Sequence, residues 1–205
     1  MRFFLRKNTL LLGLLFLISG SLFSQTWTFV KEKDGIKLYT RKEPNSSLKS
    51  FKGVVILHTQ VEKVNALLGS VENTSWWDEN VRDIKVITNE KDKLIRYYLV
   101  YHVPWPFTDR DLCVEAKITN DPATGVRTVF AQPLPNTIPE KPNLIRITHY
   151  WQKWTIQPIN KNTVLLTLEG FVDPAGNVPS WLYNMVIVDS PLKVIRGIQN
   201  RVEQH

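Results

Sequence analysis

Eight segments rich in Val, Ile, Thr, Tyr and Trp follow one another between residues 36 and 172, and they constrain the fold more than any other feature of the chain. Short turn signals such as Asn120-Asp121-Pro122 and Asn160-Lys161-Asn162 separate neighbouring segments. Such short spacers predict an antiparallel meander. The predicted strands cover residues 36–41, 50–59, 81–89, 93–103, 111–120, 126–132, 143–157 and 163–172.

Two further segments have helical periodicity. The first covers residues 61–71, between the second and third predicted strands. The second begins after Pro179, which suits a first helical turn, and Pro191 inside it is expected to kink the helix. One stripe of this long helix carries the apolar residues Trp181, Met185, Val188, Leu192, Ile195 and Val202.

Side-chain alternation predicts the inner face of two strands. In the segment after Arg110, the even positions, including Val114 and Ala116, are apolar and alternate with largely polar odd positions, and Arg110 shares their parity. In the last strand the even positions, including Leu166 and Leu168, again form the apolar face. We expect the long amphipathic helix to cover this face.

The strand at residues 93–103 has bulky side chains on both faces. Tyr98 and His102 share one face, while Tyr97 and Tyr101 share the other. Alternation alone leaves open which of these pairs points inward.

The first 24 residues have the pattern of a secretory signal peptide. A basic start, an apolar run over residues 10–18 and small residues up to Ser24 follow one another. The apolar run is shorter than the roughly 20 residues that a membrane-spanning helix needs. We therefore expect cleavage after Ser24, a single mature domain over residues 25–205 and a periplasmic or secreted location. An uncleaved anchor is the alternative.

Charge and cysteine content exclude several classes of function. The formal net charge is +7, and the first 24 residues account for three positive charges and no negative ones. The other Lys and Arg residues are scattered, so we expect no binding to nucleic acid. Cys113 is the only cysteine, which excludes an intramolecular disulfide and a multi-cysteine zinc site. We expect no cofactor and no metal.

Four sequence motifs point to a known family. They are DGIKLYTRK at residues 34–42, FKG at 51–53, PWPFTDRD at 104–111 and DPAGNVPSWLYNMVIVDSPLKVIRGIQNRV at 173–202. In content, order and spacing they resemble the StAR-related lipid-transfer (START) family. The resemblance implies an α+β helix-grip fold, in which a curved antiparallel β-sheet wraps around a long C-terminal helix and leaves an internal apolar cavity. Family members hold one lipid molecule there.

The resemblance also implies a function and a site. It predicts a monomeric carrier that binds and transfers a lipid or another hydrophobic molecule, contacts membrane surfaces transiently and performs no catalysis. The inward orientation of Tyr98 comes from the resemblance alone. The expected cavity residues are Tyr98, His102, Arg110, Val114, Ala116, Leu166, Leu168, Trp181, Met185 and Val188, and the expected gate is formed by Trp105, Phe107 and Trp181.

Other interpretations stay open at this point. A ligand-sensing module fits the same sequence, and helix-grip enzymes of the cyclase and hydrolase type use the same kind of cavity. The sequence has no nucleophile elbow, no histidine pair at metal-ligand spacing and no adjacent inward carboxylates, so we expect no enzyme.

Individual residues also have structural alternatives. Arg110 could pair with Asp111 or donate to loop carbonyls instead of contacting a ligand, because a buried charge needs partners. His102 could be a satisfied strand residue, and Trp105 and Trp181 could pack in the core. Tyr98 and Ala116 stand where sterol-binding family members often have an acid and an arginine, so sterol recognition through that pair is not expected.

Overall fold

The computed structural model describes residues 26–69, 71, 79–134 and 136–203. The predicted signal peptide lies outside these ranges. The strands are β1 (Thr28–Lys33), β2 (Ile36–Lys42), β3 (Lys49–Leu57), β4 (Val81–Glu90), β5 (Leu94–Tyr101), β6 (Arg110–Asn120), β7 (Arg127–Pro133), β8 (Ile145–Arg146), β9 (Tyr150–Asn160) and β10 (Thr163–Val172). The helices are α1 (Val61–Leu68), α2 (Ser180–Val186) and α3 (Ser190–Val202), with a 3₁₀ turn at Ile187–Asp189 between the last two.

The ten strands form one curved sheet, in which nine follow the order β1-β2-β3-β10-β9-β7-β6-β5-β4. All neighbours in this order are antiparallel, and the short β8 pairs in parallel with β6. The C-terminal helical region packs against the inner face of β2 and β3. This arrangement confirms the predicted α+β helix-grip fold.

Two differences from the predicted strands have clear causes. β1 was not predicted, because the sequence TFVKEK lies at the edge of the sheet, is largely exposed and has no apolar alternation. The segment predicted as one strand over residues 143–157 divides into β8 and β9. It divides because Ile145 and Arg146 pair with the start of β6, whereas the residues from Tyr150 onward pair with β10.

The C-terminal helix is divided as well. α2 ends at Val186, the 3₁₀ turn follows, and Pro191 lies in the first turn of α3. A proline costs no helical hydrogen bond in that position. The kink predicted at Pro191 is therefore not found there, and the helix breaks before this proline instead.

The main hydrophobic core lies between α3 and the sheet. α3 buries Leu192, Ile195, Ile198 and Val202 along one stripe. Gly53 allows the sheet to approach this stripe closely, since a Cβ atom there would lie 2.5 Å from Cδ1 of Ile195. A second group of buried side chains covers the inner face of β5, β6 and β7. The two groups leave space between them.

Candidate functional site

A cavity of about 250 Å³ occupies this space. Its walls come from the inner face of β5, β6 and β9 and from the segment that runs from α2 into α3. Aliphatic wall residues include Leu99, Leu112, Val114, Val172, Ile187 and Val194, and the polar members are Tyr97, Tyr101, Tyr150, Tyr183, Gln152 and Ser190. None of the described residues that line this cavity carries a charge.

The pairing of β5 with β6 decides which side chains reach the cavity. Tyr97 lies opposite Val114, and Leu99 lies opposite Leu112. Residues that face each other in an antiparallel pair project to the same side of the sheet. The odd positions of β5 and the even positions of β6 therefore point inward together, and Val114 lines the cavity as expected.

Tyr98 lies on the opposite face of the sheet, so its expected orientation toward the cavity was wrong. It pairs with Cys113, and its hydroxyl donates to Oδ2 of Asp111 over 3.1 Å. Arg146 donates to both carboxylate oxygens of Asp111, over 2.8 and 2.9 Å. β5 carries bulky side chains on its outer face because this face is covered as well. Apolar side chains from the loop after β7 pack against it, namely Leu134, Ile138 and Leu144.

His102 also lies outside the cavity lining, contrary to expectation. Its Nδ1 atom is 2.9 Å from Oδ1 of Asp109, and the same oxygen accepts the backbone N–H of Val103 over 2.9 Å. The Val103 N–H and the neighbouring His102 lower the pKa of Asp109. His102 therefore stabilises the loop between β5 and β6 through its contact with Asp109.

Arg110 is 3% exposed, but it does not line the cavity. Its guanidinium donates to three backbone carbonyls: Pro174 over 3.1 Å, Ala175 over 3.3 Å, and Thr108. The side chain thus joins the loop after β5 to the loop before α2. This placement matches the structural alternative in which Arg110 donates to loop carbonyls, and corrects its expected place in the cavity.

Four other expected cavity residues do not line the cavity. Leu166 and Leu168 are fully buried in the main core, and Val188 packs against that core. Ala116 faces inward with Val114, but it packs in the second group of buried side chains opposite Ile95. On β6 it lies between Val114, which lines the cavity, and Ile118, which lines a second pocket of about 530 Å³.

The expected tryptophans are on the surface. Trp105 is 91% exposed, Trp181 is 68% exposed and Met185 is 61% exposed, so none of them packs in the core or lines the cavity. Phe107 is half-buried, and its ring centroid lies 6.0 Å from Cζ of Arg110. On α2 the residue that reaches the cavity is Tyr183.

Burial controls the chemistry of the cavity tyrosines. Desolvation raises the pKa of Tyr97, Tyr150 and Tyr183, so all three hydroxyls are uncharged at neutral pH. Ionisation of Tyr97 would raise the pKa of Tyr150 further, which places the two phenols near each other. The cavity therefore offers neutral hydrogen-bonding groups within an apolar wall.

Sequence reasoning missed Tyr150, Gln152 and Tyr183. Alternation left Tyr97 undecided, and the family resemblance favoured its neighbour Tyr98 instead. The orientation of Tyr97 follows from its pairing with Val114 on β6. Alternation within β5 alone gives no information about that pairing. Tyr183 falls between Trp181 and Met185, which were assigned to the inner stripe of a continuous helix. The break after Val186 turns these two residues outward and Tyr183 inward.

Within the ranges that the structure describes, no group of His, Cys, Asp or Glu side chains could hold a metal ion. None of the helices in those ranges is long and apolar enough to cross a membrane.

The START domain family model matches residues 21–205 of this chain. The chain belongs to the START domain family. An uncharacterized protein of Pseudomonas aeruginosa is 28% identical over 198 residues, which cover 97% of each protein. The bovine phosphatidylcholine transfer protein is 24% identical over 77% of this chain and 75% of its own length.

A solved structure has a similar fold. The STAR-related lipid transfer protein of Xanthomonas axonopodis superposes with a TM-score of 0.79 at 26% identity, covering 87% of this chain and 99% of the Xanthomonas chain. The helix-grip fold of this START domain is thus shared with the Xanthomonas protein over 99% of its solved chain.

Proposed function

We propose that this START domain binds one lipid acyl chain in the cavity between the sheet and the C-terminal helices, and carries the lipid between membranes without altering it. The uncharged and largely apolar cavity between β5, β6, β9 and α2 carries this proposal. The names of the bovine and Xanthomonas relatives, a phosphatidylcholine transfer protein and a lipid transfer protein, support it.

The size of the cavity favours a single chain as the buried part of the ligand. Small-molecule sites usually measure about 300–1,000 Å³, and this cavity of about 250 Å³ falls slightly below that range. Each buried methylene contributes about 0.8 kcal/mol, so apolar contact is the main source of affinity. A lipid with one chain in this cavity would keep its headgroup closer to solvent.

The chemistry of the lining supports a carrier over an enzyme. General acid–base catalysis needs a group whose pKa lies near the working pH. The titratable groups among the described lining residues are tyrosines, and burial moves the pKa of Tyr97, Tyr150 and Tyr183 upward, away from neutrality. These residues can orient a ligand, but they are poor proton acceptors.

We propose that the lipid enters the cavity at α2. This helix has only seven residues, it presents Trp181 and Met185 to solvent, and its inner residue Tyr183 lines the cavity. Tryptophan partitions well into the membrane interface. Trp181 and the exposed Trp105 are therefore proposed to hold the protein at a membrane while α2 opens, and the N-terminal sequence supports a periplasmic or secreted site of action.

The test combines ligand identification with a blocked cavity. Native mass spectrometry and organic extraction of the exported protein should reveal a bound lipid. Val114→Phe should fill cavity space and lower lipid uptake at least tenfold. Ile159→Phe is the matched control, because Ile159 is exposed on β9 and should retain normal uptake. Normal uptake by a folded Val114→Phe protein would place the binding site elsewhere.

A further inference from the structure

The hydroxyl of Tyr183 is buried, and its O–H group has no hydrogen-bond acceptor. The residue is 5% exposed, and no described acceptor atom meets hydrogen-bond geometry with its phenol oxygen. The nearby Tyr150 differs, because its hydroxyl donates to the carbonyl oxygen of Gln132 over 3.4 Å. Native proteins satisfy most buried polar groups, since an unpaired one destabilises the folded state. The buried O–H group of Tyr183 is therefore an exception among the polar groups of a folded protein.

The fold keeps this hydroxyl at the cavity. The next residue, Asn184, accepts the backbone N–H of Lys49 at Oδ1 over 2.9 Å and donates from Nδ2 to the carbonyl oxygen of Ser47 over 2.9 Å. These two bonds fix the rotation of α2 relative to the start of β3. With that rotation fixed, Trp181 and Met185 face solvent and Tyr183 faces the cavity.

The surroundings of the hydroxyl select for a neutral partner. Burial raises the pKa of Tyr183, the backbone N–H of Val172 lowers it by approaching the phenol oxygen as a donor, and the carboxylates of Asp173 and Glu43 raise it again. The phenol thus stays protonated and able to donate. The nearby carboxylates oppose an anionic ligand group, and no described lining residue supplies a compensating cation.

We propose that Tyr183 donates a hydrogen bond to a neutral carbonyl oxygen of the bound lipid, an ester or an amide, and that it thereby selects such lipids over free fatty acids. This inference rests on the proposed function, because it requires that the cavity binds lipid. Tyr183 acts as a specificity-determining residue, while the aliphatic walls provide most of the affinity.

The experiment compares ligands of equal length. Methyl decanoate and dodecane each have twelve atoms in the chain, but only the ester has a carbonyl. Their affinities are measured by displacement of the neutral fluorophore N-phenyl-1-naphthylamine. A neutral hydrogen bond predicts that Tyr183→Phe weakens methyl decanoate binding roughly 2- to 12-fold and leaves dodecane binding unchanged. Equal losses for both ligands, or no loss for the ester, would overturn the inference.

Tyr98→Phe is the matched control, because it removes a hydroxyl that has a partner outside the cavity. It should lower the melting temperature of the ligand-free protein and leave the binding of ester and alkane unchanged. Tyr183→Phe should instead raise the melting temperature by about 2–4 °C, since it removes an unpaired buried hydroxyl. A lower melting temperature for Tyr183→Phe would show that the hydroxyl has a structural partner and contradict the inference.

A measurement on the unmodified protein is independent of these variants. The ¹³C resonance of carbonyl-labelled methyl decanoate should move downfield on binding, as it does when a carbonyl accepts a hydrogen bond, and decanoate should bind more weakly than its ester at pH 8. An unshifted resonance would exclude the hydrogen bond. If neither the fluorophore nor dodecane binds, the proposed function fails; if both bind and the ester signals are absent, the role of Tyr183 alone fails.

Discussion

Tyr97 on β5 lies directly opposite Val114 on β6, and both side chains line the cavity. The neighbouring pair, Tyr98 and Cys113, consequently points to the outer face. There Tyr98 donates to Asp111, which is held in turn by Arg146. Two adjacent residues of β5 thus place one phenol in the cavity wall and the other on the outer face of the sheet.

This relationship gives opposite expectations for two adjacent tyrosines. Tyr98→Phe removes a hydrogen bond to a buried carboxylate, so we expect it to lower the free energy of unfolding by about 1.5–3 kcal/mol and leave lipid affinity unchanged. Tyr97→Phe should change the affinity for polar lipids with a smaller effect on stability. Urea unfolding and fluorophore displacement separate the two quantities. Loss of lipid affinity in a stable Tyr98→Phe protein would contradict the assignment of faces.

Ligand length should affect affinity in a simple way. Each buried methylene contributes about 0.8 kcal/mol, so affinity should increase about fourfold per added carbon until the cavity is filled, and then level off. A series of methyl esters from hexanoate to hexadecanoate, measured by displacement, tests this. A plateau from the shortest member onward would mean that the chain is not buried.

The fold could be predicted because most of its elements are encoded by short stretches of sequence, and because several such stretches agree with one another. Strand-forming segments, short turns and the C-terminal amphipathic stripe each leave a mark in the sequence, and the family motifs order them. Two elements depend on their surroundings instead: β1 forms by pairing at the edge of the sheet, and at the break before Pro191 the turn Ile187–Asp189 packs against β2 and β3. The residues of β1 and of the turn do not by themselves reveal which strands they will contact.

The site was less predictable for a related reason. Val114 was identified because alternation on β6 is clear, whereas both faces of β5 are covered in the folded protein and alternation carries little information there. Arg110 has the inward parity that was expected, yet its guanidinium turns to the carbonyl groups of two loops. The positions of those carbonyls follow only from the tertiary structure.

Alkaline pH should destabilise the protein through its buried tyrosines. Burial raises the pKa of Tyr97, Tyr150 and Tyr183 above the ordinary value of 10.0. In the unfolded chain these groups ionise near pH 10, whereas in the folded protein they stay protonated, so the unfolded state binds fewer protons. Their contribution to stability is fully present below about pH 10 and is lost as the pH rises further.

Urea unfolding between pH 8 and pH 11 measures this effect. Each such tyrosine should reduce the free energy of unfolding by about 1.4 kcal/mol per pH unit above pH 10, so Tyr97→Phe should make the decline less steep. Stability that stays constant to pH 11 would show that these phenols ionise equally easily in the folded state.

The exposed tryptophans should affect transfer more than binding. Trp105 is 91% exposed, so Trp105→Glu removes no core packing and should leave the melting temperature and the equilibrium affinity nearly unchanged. Transfer of a fluorescent lipid between vesicles should become several-fold slower, because a charged side chain no longer enters the interface. Phe29→Glu, which changes an exposed aromatic residue on β1, is the control. Equal effects of the two substitutions would exclude a specific membrane contact by Trp105.

The contacts that hold α2 should set the rate of ligand release. Opening at α2 must break the two hydrogen bonds of Asn184 to Lys49 and Ser47, and the ion pair between Lys31 and Asp189 over 2.6 Å. Hydrogen bonds contribute about 0.5–1.5 kcal/mol each, whereas an exposed ion pair contributes about 0–1 kcal/mol. Asn184 is therefore expected to be the stronger of the two tethers.

Asn184→Ala should thus speed lipid release roughly 5- to 100-fold, while Lys31→Ala should change it less than about fivefold. Stopped-flow release into excess vesicles gives both rates. The equilibrium affinity provides a second test, because a weaker tether that only opens the gate should speed uptake and release together and leave their ratio nearly constant. An unchanged release rate in Asn184→Ala would mean that the ligand leaves by another route, such as the open pocket beyond Ala116.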